Sequence, residues 1–209
     1  MNIDINEVEL LKSIIKTCDL IFVTIPQNST KGDMADAISS STGRENENCI
    51  HVGILKNDKN GEIQIIEAET TKGVVCRPLK TFIELNLKFN PLKKFYVKRI
   101  KCSNEDDNKR WIKEVEKHIG KKYNFTYLPS KDSLYCSELV QIAYKDKNEK
   151  PLFKEIPMSF KDKEGKIPSY WIEHYKKLNM DIPIGKMGTN PHQMMKNDIL
   201  EKICEIKRK

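Results

Sequence analysis

Apolar residues recur along this chain in two rhythms: a three-to-four spacing that predicts helices, and short continuous runs that predict buried strands. Val8, Leu10, Leu11, Ile14 and Ile15 predict a short amphipathic packing helix over residues 7–17, and 19–23 reads as a buried strand. Met34, Ala37 and Ile38 share one face of a predicted helix over 30–41, which the polar run 39–42 and Gly43 end. Strands are predicted over 49–55 and 62–68; the polar turn between them contains Asn60-Gly61, so the pair reads as an antiparallel hairpin. Further strands are expected over 73–78 and 95–100, with a short helix over 81–87 between them. The helix over 105–119 is capped by Ser103 or Asn104, closed by Gly120, and places Trp111, Val115 and Ile119 on one face. Leu139, Val140, Ile142 and Ala143 predict a helix opening near residue 136, with Asp132 or Ser133 as its cap and Glu138 early in its first turn. A helix over 169–178, a Pro-Gly loop over 181–191 and a last helix over 194–206 complete the pattern, which is that of an α+β protein.

Composition narrows the class. At 209 residues the chain suffices for one domain, 1–209, with 160–209 expected as a C-terminal extension packed on the core. The net charge of +7 comes from 37 Lys and Arg against 30 Asp and Glu, and the excess is scattered lysine. Nucleic-acid readers cluster their basic residues and interleave aromatics, and this chain does neither, so no nucleic-acid partner is expected. The basic tail, residues 206–209, is too short for more than weak attraction to polyanions. Cys18, Cys49, Cys76, Cys102, Cys136 and Cys204 show no CxxC or CxxH spacing, so neither a structural metal nor a disulfide framework is expected, and reduced thiols are the reading. The acidic start followed by no long apolar run predicts neither an export signal nor a membrane span, hence a cytoplasmic protein, although a trimmed signal would leave the same sequence. Oligomeric state is not written in these patterns.

One residue carries candidate chemistry. Cys136 falls at the predicted first turn of its helix, where unpaired N–H groups and the positive end of the helix dipole stabilise a thiolate. The competing reading is a buried structural cysteine, the commoner use of the residue. A nucleophilic cysteine needs an imidazole, and the imidazole needs a third group to orient it. His51, His118, His174 and His192 are the candidates; His118, near a helix C-terminus, fits a structural or surface role. His51 stands out because it lies within an apolar strand beside Gly53. Glu67 sits in an equally apolar strand, where a carboxylate is costly unless paired; Glu69, two residues on, shares its strand face and could serve instead. Spacing alone does not bring Cys136 to His51.

The ordered set Asp19-Leu20-Ile21-Phe22, His51-Val52-Gly53-Ile54, Glu67-Ala68, Tyr123-Asn124-Phe125 and Leu134-Tyr135-Cys136-Ser137-Glu138-Leu139-Val140 resembles the circularly permuted branch of the NlpC/P60 papain-like superfamily, the YiiX/YaeF-like proteins. Ile167-Pro168-Ser169-Tyr170-Trp171 and Gly188-Thr189-Asn190-Pro191 look like the C-terminal part of the same proteins, so the match runs over most of the chain. The resemblance implies a papain-like α+β core, a central antiparallel sheet or half-barrel packed against helices including the cysteine helix. It implies Cys136 as nucleophile, His51 as base and Glu67 as the orienting group, with no departure at these three positions. Tyr135 and Tyr123 are candidate pocket walls. No cofactor is implied. The expected function is a cysteine hydrolase cleaving an amide or ester in a small peptide-like, lipid or N-acyl substrate. Two other classes stay open: a binding module for an acylated or amino-acid ligand on the same fold, and, on charge alone, a nucleic-acid binder.

Overall fold

In chain order the elements are α1 (Ile5–Ile14), β1 (Leu20–Pro26), α2 (Met34–Thr42), β2 (Glu47–Asn57), β3 (Ile63–Glu69), β4 (Gly73–Pro78), α3 (Leu79–Phe89), β5 (Lys94–Ile100) and α4 (Glu105–Glu116). There follow β6 (Lys122–Tyr123), β7 (Ser133–Leu134), α5 (Cys136–Ala143), β8 (Ile156–Pro157), α6 (Ser169–Lys177), β9 (Met187–Gly188), α7 (Pro191–Met195) and β10 (Leu200–Ile206). The structure is a computed structural model that describes residues 5–26, 33–42 and 47–206, with the backbone alone for 5–9. Residues 30–32 and Gly43 of the second predicted helix, the first four residues and the basic tail beyond 206 lie outside the described residues.

Six strands form one antiparallel sheet in the order β10-β5-β1-β2-β3-β4. Its central strand β1 is apolar on both faces because each face is covered. Leu20 and Phe22 pack with Trp111 and Val115 of α4, Leu139 and Val140 of α5, and Trp171 of α6. Ile21 and Val23 point the other way, into a layer with Leu11 of α1 and Phe82, Ile83 and Leu87 of α3. The hairpin predicted from Asn60-Gly61 pairs Ile54 with Ile66 through Asn57 with Ile63. Gly61 adopts a φ of 77°, and the Asp58 carboxylate accepts from the amides of Asn60 and Glu62, fixing the turn. Asp19, opening β1, is buried; Arg99 of β5 grips both its oxygens at 2.6 and 2.8 Å and the Lys16 amide adds a third bond. A charge so buried is tolerable only with such complete pairing. No helix among the described residues is long and apolar enough to cross a membrane.

Three expectations are corrected. Residues 194–206 are not one helix: α7 stops at Met195, the Asn197 side chain accepts from the Ile199 amide, and the chain turns into β10, which caps the open edge of β5. A bulge between Lys202 and Cys204 shifts the alternation by one residue, sending Leu200 and Ile206 to opposite faces. That shift leaves apolar residues at 200, 203 and 206, a spacing that reads as helical. The helix α4 ends at Glu116, so Ile119 leaves the Trp111–Val115 face and is exposed, while Gly120 closes the segment at a φ of 93°. Of its two candidate caps, Asn104 is the one used, accepting from the Asp107 amide at 2.9 Å. The cap of α5 is neither Asp132 nor Ser133 but Tyr135, because 133–134 are drawn into a parallel bridge with 122–123.

Candidate active site

Cys136 is the first residue of α5, and its side chain is buried at the helix start. The preceding Tyr135 is extended, and its amide donates to the Glu138 carboxylate at 3.3 Å, so the helix supplies its own N-terminal acceptor three residues in. Asn124 Nδ2 donates to the same carboxylate at 3.3 Å, tying the Tyr123-Asn124-Phe125 motif to the cysteine helix. Thr189 closes the other side: its amide donates to the Tyr135 hydroxyl at 3.1 Å and its own hydroxyl to Ser137 Oγ at 3.0 Å. Gly188 packs tightly there: a Cβ would sit 2.7 Å from Met158 Sδ and 3.1 Å from the Tyr135 hydroxyl, so Met158 would have to shift.

Burial pushes Glu138 up to about 7 against the pull of its two hydrogen bonds. An unfolded glutamate titrates near about 4.3. The folded state therefore binds the extra proton between those values, and stability falls as pH rises through that window. Glu138→Gln is expected to flatten the dependence of melting temperature on pH from about 5 to 8 and to raise it at the alkaline end; parallel profiles for the two proteins would show that Glu138 is not the titrating group.

The imidazole comes from β2. The ladder between β2 and β3 ends at Ile54 and Ile66, so His51 and Glu67 lie beyond the paired stretch, and a bulge against β1 falls beside His51. His51 Nε2–H donates to Glu67 Oε2 at 2.7 Å, and Cys136 lies close enough to act electrostatically on the same ring. With Nε2 committed to the carboxylate, Nδ1 is the nitrogen left for sulfur. Burial, the largest single influence, lowers the His51 pKa, but Cys136 and Glu67 outweigh it and hold the imidazole up at about 10.

Glu67 is buried and doubly held. Arg77 of β4 places Nε 3.2 Å from Glu67 Oε1 and Nη2 3.2 Å from Glu69 Oε1, bridging both carboxylates that the sequence had left in competition. It is Glu67 that meets His51, while Glu69 pairs with Arg77 and Thr71. Arg77 was missed in the sequence; its signal was a cation in the strand next to β3, at the parity that shares a face with Glu67.

The other candidate histidines have partners of their own. His118 stands beside Glu114 at 3.5 Å on α4, and His174 bonds the Phe125 carbonyl at 2.8 Å. His192 shares a cavity wall with Cys136, with Nδ1 accepting from the Cys49 amide at 3.2 Å. All six cysteines are unpaired, and burial raises the thiol pKa of Cys18 and of Cys49.

Two cavities border these residues. One, of about 280 Å³, is lined by Cys136, Tyr123, Tyr135 and a set of largely apolar side chains including Tyr127, Met158, Phe160 and Trp171. Tyr127, Phe160, Trp171 and Tyr175 interlock edge to face, with Phe160 and Trp171 centroids 5.1 Å apart, which makes that wall rigid. The second, of about 270 Å³, is lined by His51, Glu67, Arg77, Lys93 and Phe82. Tyr123 lines both.

The crystal structure of metalloprotein yiiX from Escherichia coli O157:H7 superposes on this chain with a TM-score of 0.73, covering 92% of this chain and 98% of that one at 21% identity, a likeness of fold. No curated protein matches the chain. A family described as permuted papain-like amidase enzymes, YaeF/YiiX, C92, matches residues 14–204. With nearly the whole chain so matched, on a sheet and cysteine helix arranged as that fold requires, the protein belongs to the permuted papain-like amidases, a family of cysteine hydrolases.

Proposed function

We propose that the protein hydrolyses an amide or ester in an N-acylated or peptide-like substrate through Cys136, His51 and Glu67. The observation that carries this reading is the chain of contacts from His51 to Glu67 and Arg77, with Cys136 acting on the same imidazole, beside two cavities. His51 takes the thiol proton, and the thiolate adds to the carbonyl carbon. The developing oxyanion lies near the Cys136 amide at the start of α5, where N–H groups lack helical partners. The C–N or C–O bond then breaks, the leaving atom takes the proton from imidazolium, and the acyl group remains as a thioester on Cys136. Water, deprotonated by the now neutral His51, adds to the thioester, the acid departs and the thiol is restored. Glu67, held by Arg77, keeps the imidazole tautomer and orientation throughout.

The acyl part fits the first cavity, which is predominantly apolar and approaches the lower end of the roughly 300–1,000 Å³ usual for ligand pockets. The structural relative is described as a metalloprotein. Among the described residues of this chain no three His, Cys, Asp or Glu side chains converge as a metal would need.

The test is acyl trapping. The protein is quenched in acid during turnover of octanoyl p-nitroanilide and octanoyl p-nitrophenyl ester, and its peptides are mapped by mass spectrometry. An octanoyl adduct on the peptide carrying Cys136 is expected. Turnover with no adduct at Cys136, or adducts spread over the other cysteines, would sink the assignment, and ligand binding without turnover would favour a binding module on the same fold.

A further inference from the structure

The two cavities divide the reaction between them. Cys136 lines the first and His51 the second, with Tyr123 between. Because imidazolium must lie within hydrogen-bond reach of the leaving atom, the leaving group departs on the His51 side, while the acyl group stays with sulfur. The amide-hydrolase reading thus assigns the second cavity to the leaving group, and the choice of ligand for that cavity rests on the same reading.

The charges around the second cavity are unequal in their pairing. Glu67 is held by His51 and Arg77, and Glu69 by Arg77 and Thr71. Lys93 is different. It precedes β5, in a turn fixed by the Asn90 side chain accepting from the Leu92 amide at 2.9 Å. Its ammonium gives one hydrogen bond, to Asn86 Oδ1 at 3.0 Å, and among the described residues no carboxylate lies within 4 Å of it. Asp33 and Glu67 act on it only through space, and burial, the larger influence, lowers its pKa. A half-buried lysine on a cavity wall, with two of three N–H donors uncommitted and no contacting counter-ion, has lost hydration that an anion would replace.

We propose that the cavity beside His51 is the leaving-group chamber and that Lys93 is its anion-binding group, so that the amine released carries a carboxylate or a phosphate. Phe82 on the same wall, its ring centroid 6.1 Å from that of His51, leaves the part of the leaving group nearest the scissile bond an apolar surface to pass.

Binding is measured by titration calorimetry on Cys136→Ala protein with N-octanoylglycine, N-octanoyl phosphoethanolamine and the neutral N-octanoylethylamine, with turnover of the same three by the intact enzyme measured as amine release. An anionic ligand is expected to bind about tenfold or more tightly than the neutral one, as a charge-assisted hydrogen bond implies. The preference of carboxylate over phosphate, or the reverse, identifies the group that Lys93 receives. Lys93→Gln in the same background is expected to remove the preference and Lys93→Arg to keep it, with melting temperatures confirming that both fold. Equal affinities with Lys93 intact, a preference that survives Lys93→Gln, or no binding of any of the three would overturn the proposal. Preference in binding without turnover would remove the hydrolase reading and leave the anion site standing; turnover without preference would do the reverse.

Discussion

Cys136→Ala is expected to lower amide turnover by a factor on the order of 10⁴ or more, because no other group can form the thioester and the barrier reverts to that of attack by water in a binding site. The fold should survive. Leu139, Val140 and Ala143 anchor α5, and the loss of one sulfur atom from a site at the wall of a cavity removes little packing. The substitution has a second, independent reading. His51 is held at about 10 by Cys136 and Glu67 against burial, so removing the thiol should let burial act more strongly and bring the imidazole pKa down, an effect readable by NMR titration of the ring protons. Cys136→Ser restores a hydrogen-bonding group of similar size but not an ionisable thiol, and is expected to be nearly as inactive. Turnover within tenfold of wild type in either variant would exclude Cys136 as the nucleophile.

The members of the proposed site could be singled out in the sequence because each breaks a local rule: a cysteine at a helix start, a histidine and a glutamate inside apolar strands. The hairpin turn and the capped α4 were equally legible, since Asn60-Gly61 and Asn104 with Asp107 are local signals acting over a few residues. What the sequence concealed is set by tertiary pairing. A bulge disguised β10 as a helix, and the bridge between 122–123 and 133–134 took the expected cap residues away from α5. The choice between Glu67 and Glu69 could not be made by parity, which they share; it depends on where the β2–β3 ladder stops and on Arg77 dividing itself between both. Thr189 and Lys93 reach the site from remote stretches of chain, and no spacing rule connects them to Cys136.

His51→Ala is expected to lower turnover by about 10²–10⁴, the usual contribution of a positioned acid–base group. It should also change the pH at which Cys136 reacts. An imidazole held up at about 10 stays protonated through neutral pH and favours a thiolate beside it, so iodoacetamide should label wild-type Cys136 rapidly at pH 6. Without that cation beside it the sulfur is expected to label much more slowly at pH 6. The remaining cysteines calibrate the comparison: Cys76 and Cys102 are exposed, whereas Cys18 and Cys49 are buried and should label slowly throughout. Stability supplies an independent sign. The folded pKa of His51 lies above the unfolded value of about 6.5, so its stabilisation is fully present below pH 6.5 and is lost as pH rises toward 10. The stability gap between wild type and His51→Ala should therefore be widest in mild acid and close on the alkaline side. Glu67→Gln keeps an oxygen acceptor for Nε2–H but not its charge, and should fall between wild type and His51→Ala in both turnover and labelling. Equal labelling of Cys136 at pH 6 with and without His51 would mean that the start of α5 alone sets the reactivity of the thiol, and the imidazole would then have no part in activating it.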